Sequence, residues 1–178
     1  MRMFVGIQPS WEFRESLTLI QDRLRENCVT GRYLDPSNLH MTLAFIGEWP
    51  ENVSELLPGV EKPFPITLSH IGIFEEADVL WAGVQPSEEL HNLARRVRHS
   101  LADEGIPFDR KSFNPHITLM RKPSIPGNMI LSDIRIPAAT MMVDEVCLYR
   151  SDRGKNGMVY TVIGQGRGKH PLTSMDGF

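Results

Sequence analysis

Two short stretches, LHMTLAFIG at residues 39–47 and PHITLMRKP at residues 115–123, decide the fold that this sequence predicts. Each contains a His-x-Thr-Leu core within a run of β-forming residues, which is typical of a strand. Side chains two positions apart share one face of a strand, so His40 lies beside Thr42, and His116 lies beside Thr118. Each strand therefore has one apolar face and one face that carries an imidazole and a hydroxyl.

The alternation along the first strand makes a more detailed prediction. Met41, Leu43 and Phe45 are expected to point into the core, whereas Ala44 continues the face of His40. The histidine thus belongs to a polar surface of a strand whose other surface is buried.

The chain repeats itself around these two strands. FVGIQPS starts at position 4 and WAGVQPS at position 81, which is 77 positions later, and the two histidines are 76 positions apart. Apolar residues recur at helical spacing in both intervals: Phe13, Leu17, Ile20 and Leu24 in the first, and Leu90, Leu93, Val97 and Leu101 in the second. Ser10 and Ser87 occupy helix N-cap positions. Each half is therefore predicted as strand, turn, amphipathic helix and His-x-Thr strand.

A repeat of this kind predicts an α+β fold with two lobes related by a pseudo-two-fold axis. The lobes are built around residues 2–47 and 79–123, within a single domain that covers residues 1–178. We expect two largely antiparallel sheets with outer helices and a central cleft between the two His-x-Thr faces. Residues 165–178 are rich in glycine and polar residues and are expected to form a mobile tail.

Composition narrows the classes of function. Hydrophobic residues make up 41% and charged residues 23% of the 178 positions, which is an ordinary globular balance. The net charge of -3 disfavours a broad surface for coating nucleic acid but permits a local pocket for a nucleotide end. The sequence has neither an apolar run of about 18 residues nor a signal-peptide pattern, so we expect a cytoplasmic protein that does not span a membrane. Nothing in the sequence suggests an obligate dimer, and we expect a monomer.

Two imidazoles and two hydroxyls around one point are suited to a phosphate. Threonine hydroxyls can donate hydrogen bonds to its oxygens. Because an unperturbed histidine has a pKa near 6.5, one neutral ring can accept a proton from water while one imidazolium donates to a leaving oxygen. Each role typically contributes about 10²- to 10⁴-fold to the rate. No metal or other cofactor is required, and a zinc site would lack a third protein ligand in either motif.

The paired motifs, together with RMFVGIQPS at 2–10, VLWAGV at 79–84 and SFNPHITLMR at 112–121, resemble the 2H phosphoesterase superfamily. Within it, they are most similar to the RNA 2′,3′-cyclic phosphodiesterases, also described as 2′-5′ RNA ligases. The resemblance covers about residues 2–164. It implies metal-independent hydrolysis of RNA 2′,3′-cyclic phosphate ends to 2′-phosphomonoesters, and it allows 2′-5′ ligation as the reverse reaction. The implied partners are RNA ends or small nucleotides with a 2′,3′-cyclic phosphate.

The same resemblance implies roles for the motif residues. His40 would be the proton donor to the departing 3′ oxygen, and His116 would be the proton acceptor that activates water. Thr42 and Thr118 would bind the phosphate. On sequence grounds the pseudo-symmetry makes the acid and base roles nearly interchangeable.

Arg121 matches an arginine that follows the second motif in these enzymes and would also bind substrate. It lies five residues after His116, so strict alternation places it on the opposite face of the strand. Arg121 can reach the histidine face only if the strand bends or ends near Met120.

Two alternatives stay open. The same pocket chemistry would serve a phosphodiesterase that acts on 2′-5′ oligonucleotides or other cyclic nucleotides. A nucleotide- or RNA-end-binding module could keep the fold without turnover, although binding alone does not require a proton donor and a proton acceptor. Four aromatic residues could stack on a base, and the sequence does not choose among them: Trp49, Phe108, Phe113 and Tyr149.

Overall fold

Nine strands and two long helices are formed within residues 1–167, the part of the chain that the computed structural model describes. In chain order they are β1 (Arg2–Ile7), α1 (Trp11–Glu26), β2 (Thr30–Tyr33), β3 (Met41–Glu48), β4 (Phe64–Phe74), β5 (Val79–Val84), α2 (Glu88–Asp103), β6 (Ile117–Ser124), β7 (Thr140–Val143), β8 (Cys147–Gly154) and β9 (Gly157–Gln165). The predicted α+β class is confirmed. No helix within the described range has the length and apolar character needed to cross a membrane.

Both helices begin and bury their faces as the sequence predicts. The Ser10 hydroxyl accepts a hydrogen bond from the backbone N–H of Phe13 at 3.3 Å, and the Ser87 hydroxyl accepts one from Leu90 at 3.1 Å. All eight apolar residues of the two predicted helical faces are at most 1% exposed. Gly105, with φ of 70°, follows the end of α2, where a left-handed residue commonly terminates a helix.

The strands form one continuous antiparallel path in the order β7-β4-β5-β6-β3-β1-β8-β9, with β2 paired to β6. The prediction of two sheets is wrong in this respect, because β3 and β6 join the two halves. They do so through a single pair of residues, Met41 and Ile117. β3 otherwise pairs with β1 of its own half, whereas β6 pairs with β5 of its own half and, further along, with β2 of the first half. The two motif strands therefore meet each other only at their first residues.

The two halves have matching elements, but their equivalent strands pair in different registers. β1 and β5 have six residues each, α1 and α2 have sixteen, and β3 and β6 have eight. Ile7 lies opposite Met41, whereas the residue opposite Ile117 is Ala82 and not Val84, which the repeat aligns with Ile7. The difference of two positions keeps every side chain on its face, because strand alternation has a period of two.

A β-bulge in β3 changes the predicted alternation. Pairing with β1 passes from Thr42 to Ala44, so Leu43 is the extra residue. Met41 and Leu43 are buried in the core as predicted, but Ala44 is buried there too. Phe45 instead packs on the opposite face, in a small cluster with Phe4, Cys147 and Tyr149. The predictions for Ala44 and Phe45 are wrong because one extra residue inverts the positions that follow it, until a second irregularity at Ile46.

The second motif strand has a matching bulge. Pairing with β5 passes from Thr118 to Met120, so Leu119 is the extra residue, and Leu119 and Met120 are both fully buried. Arg121 lies opposite Val79 and is exposed. Val79 and Trp81, the partners of Arg121 and Thr118 in β5, are two positions apart and share a face. Because cross-strand partners also share a face, the bulge returns Arg121 to the face of Thr118. The strand does not end at Met120. The bulge instead turns the side chain of Arg121 to the histidine face, which strict alternation would not allow.

The expected mobile tail begins within a strand. Gln165 is the last residue of β9, the backbone N–H of Gly166 donates to the carbonyl of Val146 at 2.8 Å, and that of Arg167 donates to Leu57 at 3.1 Å. Residues 168–178 lie outside the described residues.

Candidate active site

His40 immediately precedes β3 and packs among three aromatic rings on the face of the sheet opposite to the helices. Its ring centroid is 4.5 Å from that of Phe4, 5.1 Å from Tyr160 and 5.6 Å from Tyr149. Phe4 lies on β1, Tyr149 on β8 and Tyr160 on β9, so the three rings come from three different strands. The imidazole is therefore shielded from water on several sides.

The hydrogen bonds of His40 determine its tautomer. Its Nδ1 lies 2.7 Å from the carbonyl oxygen of Asn38, and because a carbonyl can only accept, Nδ1 carries the proton. The other nitrogen, Nε2, lies 3.0 Å from the Thr42 hydroxyl. In the neutral ring, Nε2 accepts the hydroxyl proton. Nε2 is thus the nitrogen available for proton transfer.

His116 is held in the same way. It immediately precedes β6, and its Nδ1 donates to the carbonyl of Asn114 at 2.7 Å, which leaves Nε2 free. Its ring packs edge-on against Phe74 at 4.9 Å, with Trp81 at 6.3 Å. Both histidines therefore present the same ring nitrogen from equivalent positions.

The junction of β3 and β6 brings the four motif residues together. Met41 lies opposite Ile117 in an antiparallel pair, so His40 and Thr42 flank one member of this pair and His116 and Thr118 flank the other. Met41 and Ile117 are buried, so the flanking side chains lie on the other face.

Positive charge and burial both act on His40. Burial is the main cause that lowers its pKa, to about 4, and the charges of His116 and Arg121 lower it further. The bond to the Asn38 carbonyl opposes this effect. The influence of Arg121 on the pKa of His40 agrees with its place on the histidine face after the bulge.

His116 follows the same pattern to a smaller extent. Burial lowers its pKa, and the bond to the Asn114 carbonyl opposes the effect. Both rings are therefore mainly neutral at pH 7. An anion bound between them would favour the entry of a proton, because it offsets the cost of charging a buried imidazole.

Sequence reasoning missed two asparagines. Asn38 and Asn114 lie two residues before the histidines and are themselves 76 positions apart, so the repeat contains this signal as Asn-x-His-x-Thr. The Asn38 side chain also donates to the carbonyl of Met158 at 2.8 Å and accepts from the N–H of Tyr160 at 3.2 Å. It thereby ties β9, with its Tyr160 ring, to the first motif.

The four aromatic candidates for base stacking have different positions. Tyr149 is 4% exposed and packs near His40. Phe108 and Phe113 lie against the Arg98 guanidinium, and Trp49 packs on the main core. Their role in stacking stays a prediction.

The donor set around the histidines contains few groups of the kinds that metals prefer. In residues 1–167, no three His, Cys, Asp or Glu side chains are grouped so that they could hold a metal ion. The groups that contact the two imidazoles are backbone carbonyls, the Thr42 hydroxyl and aromatic rings.

Known proteins are similar to this chain over most of its length. A family model described as the 2′-5′ RNA ligase superfamily matches residues 9–155. An RNA 2′,3′-cyclic phosphodiesterase of Aquifex aeolicus is 31% identical over 182 aligned residues, covering 92% of this chain and 95% of the relative. The protein of the same name from Escherichia coli is 39% identical over 143 residues, covering 75% of this chain and 77% of its own.

Solved structures share the fold. TT0787 of Thermus thermophilus superposes with a TM-score of 0.74 at 29% identity, covering 96% of this chain and all of its own. E. coli LigT in its apo form gives 0.74 at 27% identity, covering 95% of this chain and 98% of its own. A structure of LigT complexed with 3′-AMP gives 0.74 at 26% identity with the same coverage.

Proposed function

Because this chain belongs to the 2′-5′ RNA ligase superfamily, we propose that it hydrolyses RNA 2′,3′-cyclic phosphate ends to 2′-phosphomonoesters. The observation that carries the proposal is the pair of histidines held in the same tautomer, each with Nδ1 bonded to the carbonyl two residues before it and Nε2 left as the nitrogen for proton transfer. Relatives that cover nine-tenths of the chain are named for this activity.

In the proposed mechanism, Thr42, Thr118 and Arg121 bind the non-bridging phosphate oxygens. His116 Nε2 removes a proton from water as the water oxygen forms a bond to phosphorus. The bond from phosphorus to the 3′ oxygen breaks, and protonated His40 donates its Nε2 proton to that oxygen. The phosphate remains on the 2′ oxygen. Exchange of protons with solvent then restores both histidines.

The proton on His40 depends on the substrate. With its pKa lowered to about 4, the His40 ring is almost entirely neutral at pH 7. A bound phosphodiester carries a negative charge and raises this pKa. The smaller effect at His116 favours a proton there first, which is a specific observation in favour of the reversed roles.

Replacement of the 3′ bridging oxygen by sulfur separates the two assignments. A thiolate leaves without protonation, so the variant that lacks the general acid should regain activity on this substrate and the variant that lacks the base should not. We expect rescue of His40→Ala but not of His116→Ala. Rescue of His116→Ala alone would reverse the roles.

The activity itself is tested with purified protein, EDTA and an RNA that ends in a 2′,3′-cyclic phosphate. We expect conversion to a 2′-phosphate, and a loss of about 10²- to 10⁴-fold in each of His40→Ala and His116→Ala. His99→Ala, which changes an exposed histidine of α2, is the matched control and should keep full activity. Absence of conversion, or equal conversion by all variants, would refute the proposal.

A panel of substrates distinguishes the alternatives. Faster turnover of 2′-5′ oligonucleotides or of small cyclic nucleotides would identify a different phosphodiester as the substrate. Tight nucleotide binding without hydrolysis between about pH 5 and 8 would identify a binding module. Ligation is tested by incubating an RNA with a 2′,3′-cyclic end and an RNA with a free 5′ hydroxyl, and scoring for a 2′-5′ linkage.

We attribute the matching lengths of the two strand-helix-strand units to an internal duplication. In this interpretation a single domain consists of two lobes, around residues 2–47 and 79–123, which face each other across the motif strands. The cytoplasmic location and the monomeric state stay predictions.

A further inference from the structure

We propose that Gln21 of α1 is a positioning residue for Arg121, because it holds the backbone at the bulge of β6. The proposal rests on the proposed function, in which Arg121 binds the substrate phosphate. Gln21 itself lies on the buried face of α1, and its side-chain hydrogen bonds go to the carbonyls of Leu34 and Leu119.

Gln21 is unusual for its burial. It is 1% exposed, and the only other polar side chain buried among the described residues is that of Ser151. The neighbouring positions of its helix face, Leu17, Ile20 and Leu24, are entirely apolar and fully buried. A buried amide without partners is costly, so its hydrogen bonds explain why it is tolerated there.

Both bonds of the Gln21 amide go to the segment around the bulge. Its Nε2 donates to the carbonyl of Leu119 at 2.9 Å and to the carbonyl of Leu34 at 3.0 Å. The Leu119 carbonyl also accepts the backbone N–H of Leu34 at 3.0 Å. Leu119 is the extra residue of the bulge. The amide therefore joins the bulge to the chain that follows β2.

The bulge in turn determines the direction of Arg121. Without an extra residue at Leu119, alternation would place Arg121 on the core face, together with Ile117. With it, Arg121 faces the cleft and acts on the pKa of His40. Its cross-strand partner in β2 is Arg32, and like charges opposite each other are destabilising. The backbone must therefore hold Arg121 in place against the repulsion between the Arg121 and Arg32 guanidinium groups.

The other half of the molecule contains the same arrangement. Arg98 of α2 lies 77 positions after Gln21, and its Nε donates to the carbonyl of Leu43 at 3.0 Å. Leu43 is the extra residue of the bulge in β3. Each helix thus bonds to the bulge of the motif strand from the other half. The recurrence of this contact in both halves argues against a chance filling of space.

Coupling between two substitutions tests the proposal. Gln21→Met has a similar shape but no donor, and Arg121→Ala removes the positioned group. The two single variants and the double variant are compared by KM and kcat on the RNA with a 2′,3′-cyclic end, and by calorimetric binding of 3′-AMP. Ile20→Val, one residue away in the same helix, is the control for loss of packing.

We expect Gln21→Met to raise KM, and the dissociation constant for 3′-AMP, by about tenfold with kcat changed much less, the size expected when a charged hydrogen bond to an anion is weakened. In the Arg121→Ala background, Gln21→Met should have no further effect. Ile20→Val should leave KM unchanged in both backgrounds.

Equal effects of Gln21→Met with and without Arg121 would overturn the proposal, since a purely structural role is additive. If Gln21→Met does not fold, Gln21→Leu takes its place, because it is apolar and has no donor. If the wild type binds 3′-AMP without turnover, the proposed function fails while the binding comparison still decides the inference. A crystal structure of the variant with the bulge and Arg121 unmoved would overturn it in every case.

Discussion

The neutral, shielded state of His40 predicts a specific loss of stability in acid. In the unfolded chain this histidine is hydrated and has its ordinary pKa of 6.5, whereas burial lowers the pKa to about 4 in the folded protein. The unfolded state therefore binds a proton more readily, and stability rises with pH through this range. The contribution of neutral His40 to the free energy of unfolding is fully present above about pH 6.5 and is lost as pH falls toward 4.

The magnitude follows from the two pKa values. The pKa of His40 is 6.5 in the unfolded chain and about 4 in the folded protein. This difference corresponds to a free energy of about 3 kcal/mol, because each pKa unit is worth about 1.4 kcal/mol. Four charged or titratable groups act on this ring or lie against it: His116, Arg121, Tyr149 and Tyr160. All four remain in a His40 variant, so the difference between variant and wild type isolates His40.

Urea unfolding at steps from pH 7.5 to pH 4 measures this difference. Wild type should lose about 3 kcal/mol more than His40→Gln over this interval, whatever the absolute stability of the variant at pH 7.5. His99→Gln, at an exposed position of α2, is the matched control and should follow the wild type. Parallel curves for wild type and His40→Gln would show that burial of the neutral ring is not the reason for acid sensitivity.

Three further substitutions test the supports of the site. Asn38→Ala removes two hydrogen bonds to β9, so water should reach His40 and its pKa, followed by NMR titration, should rise toward 6.5. Ser87→Ala should lower the free energy of unfolding by about 1 kcal/mol in urea titrations, because α2 loses its N-cap. Gly31→Ala should cost more than about 1 kcal/mol and weaken 3′-AMP binding, because φ is 148° and the added Cβ would lie 2.9 Å from the Arg121 carbonyl.

Matched controls exist for all three. Asn52→Ala also removes a side-chain bond to β9, but at Ile163, and should leave the pKa of His40 unchanged. Ser16→Ala removes an exposed hydroxyl within α1 and should change stability little. Gly127→Ala meets no atom within 4 Å and should be tolerated. The reasoning fails where a variant behaves like its control.

Local features of the fold were predictable because short-range chemistry determines them. The N-caps at Ser10 and Ser87 and the buried faces of both helices follow from residue type and spacing alone. The shared face of each histidine with its threonine follows from strand alternation. Phe45 shows where this reasoning ends, because nothing in the sequence around it announces the bulge at Leu43 that inverts its direction.

The sequence by itself determined the repeated strand-helix-strand units, the paired His-x-Thr faces and, through the family resemblance, the proposed reaction. Only the tertiary structure decided which strands meet, which aromatic rings enclose His40, and how far its pKa falls. It also decided that Arg121 faces the cleft, through a bond between Gln21 and a carbonyl 98 positions away. The physical reason is the same in each case, because periodicity acts over a few residues, whereas burial, register and bulge geometry depend on partners that are distant in the chain.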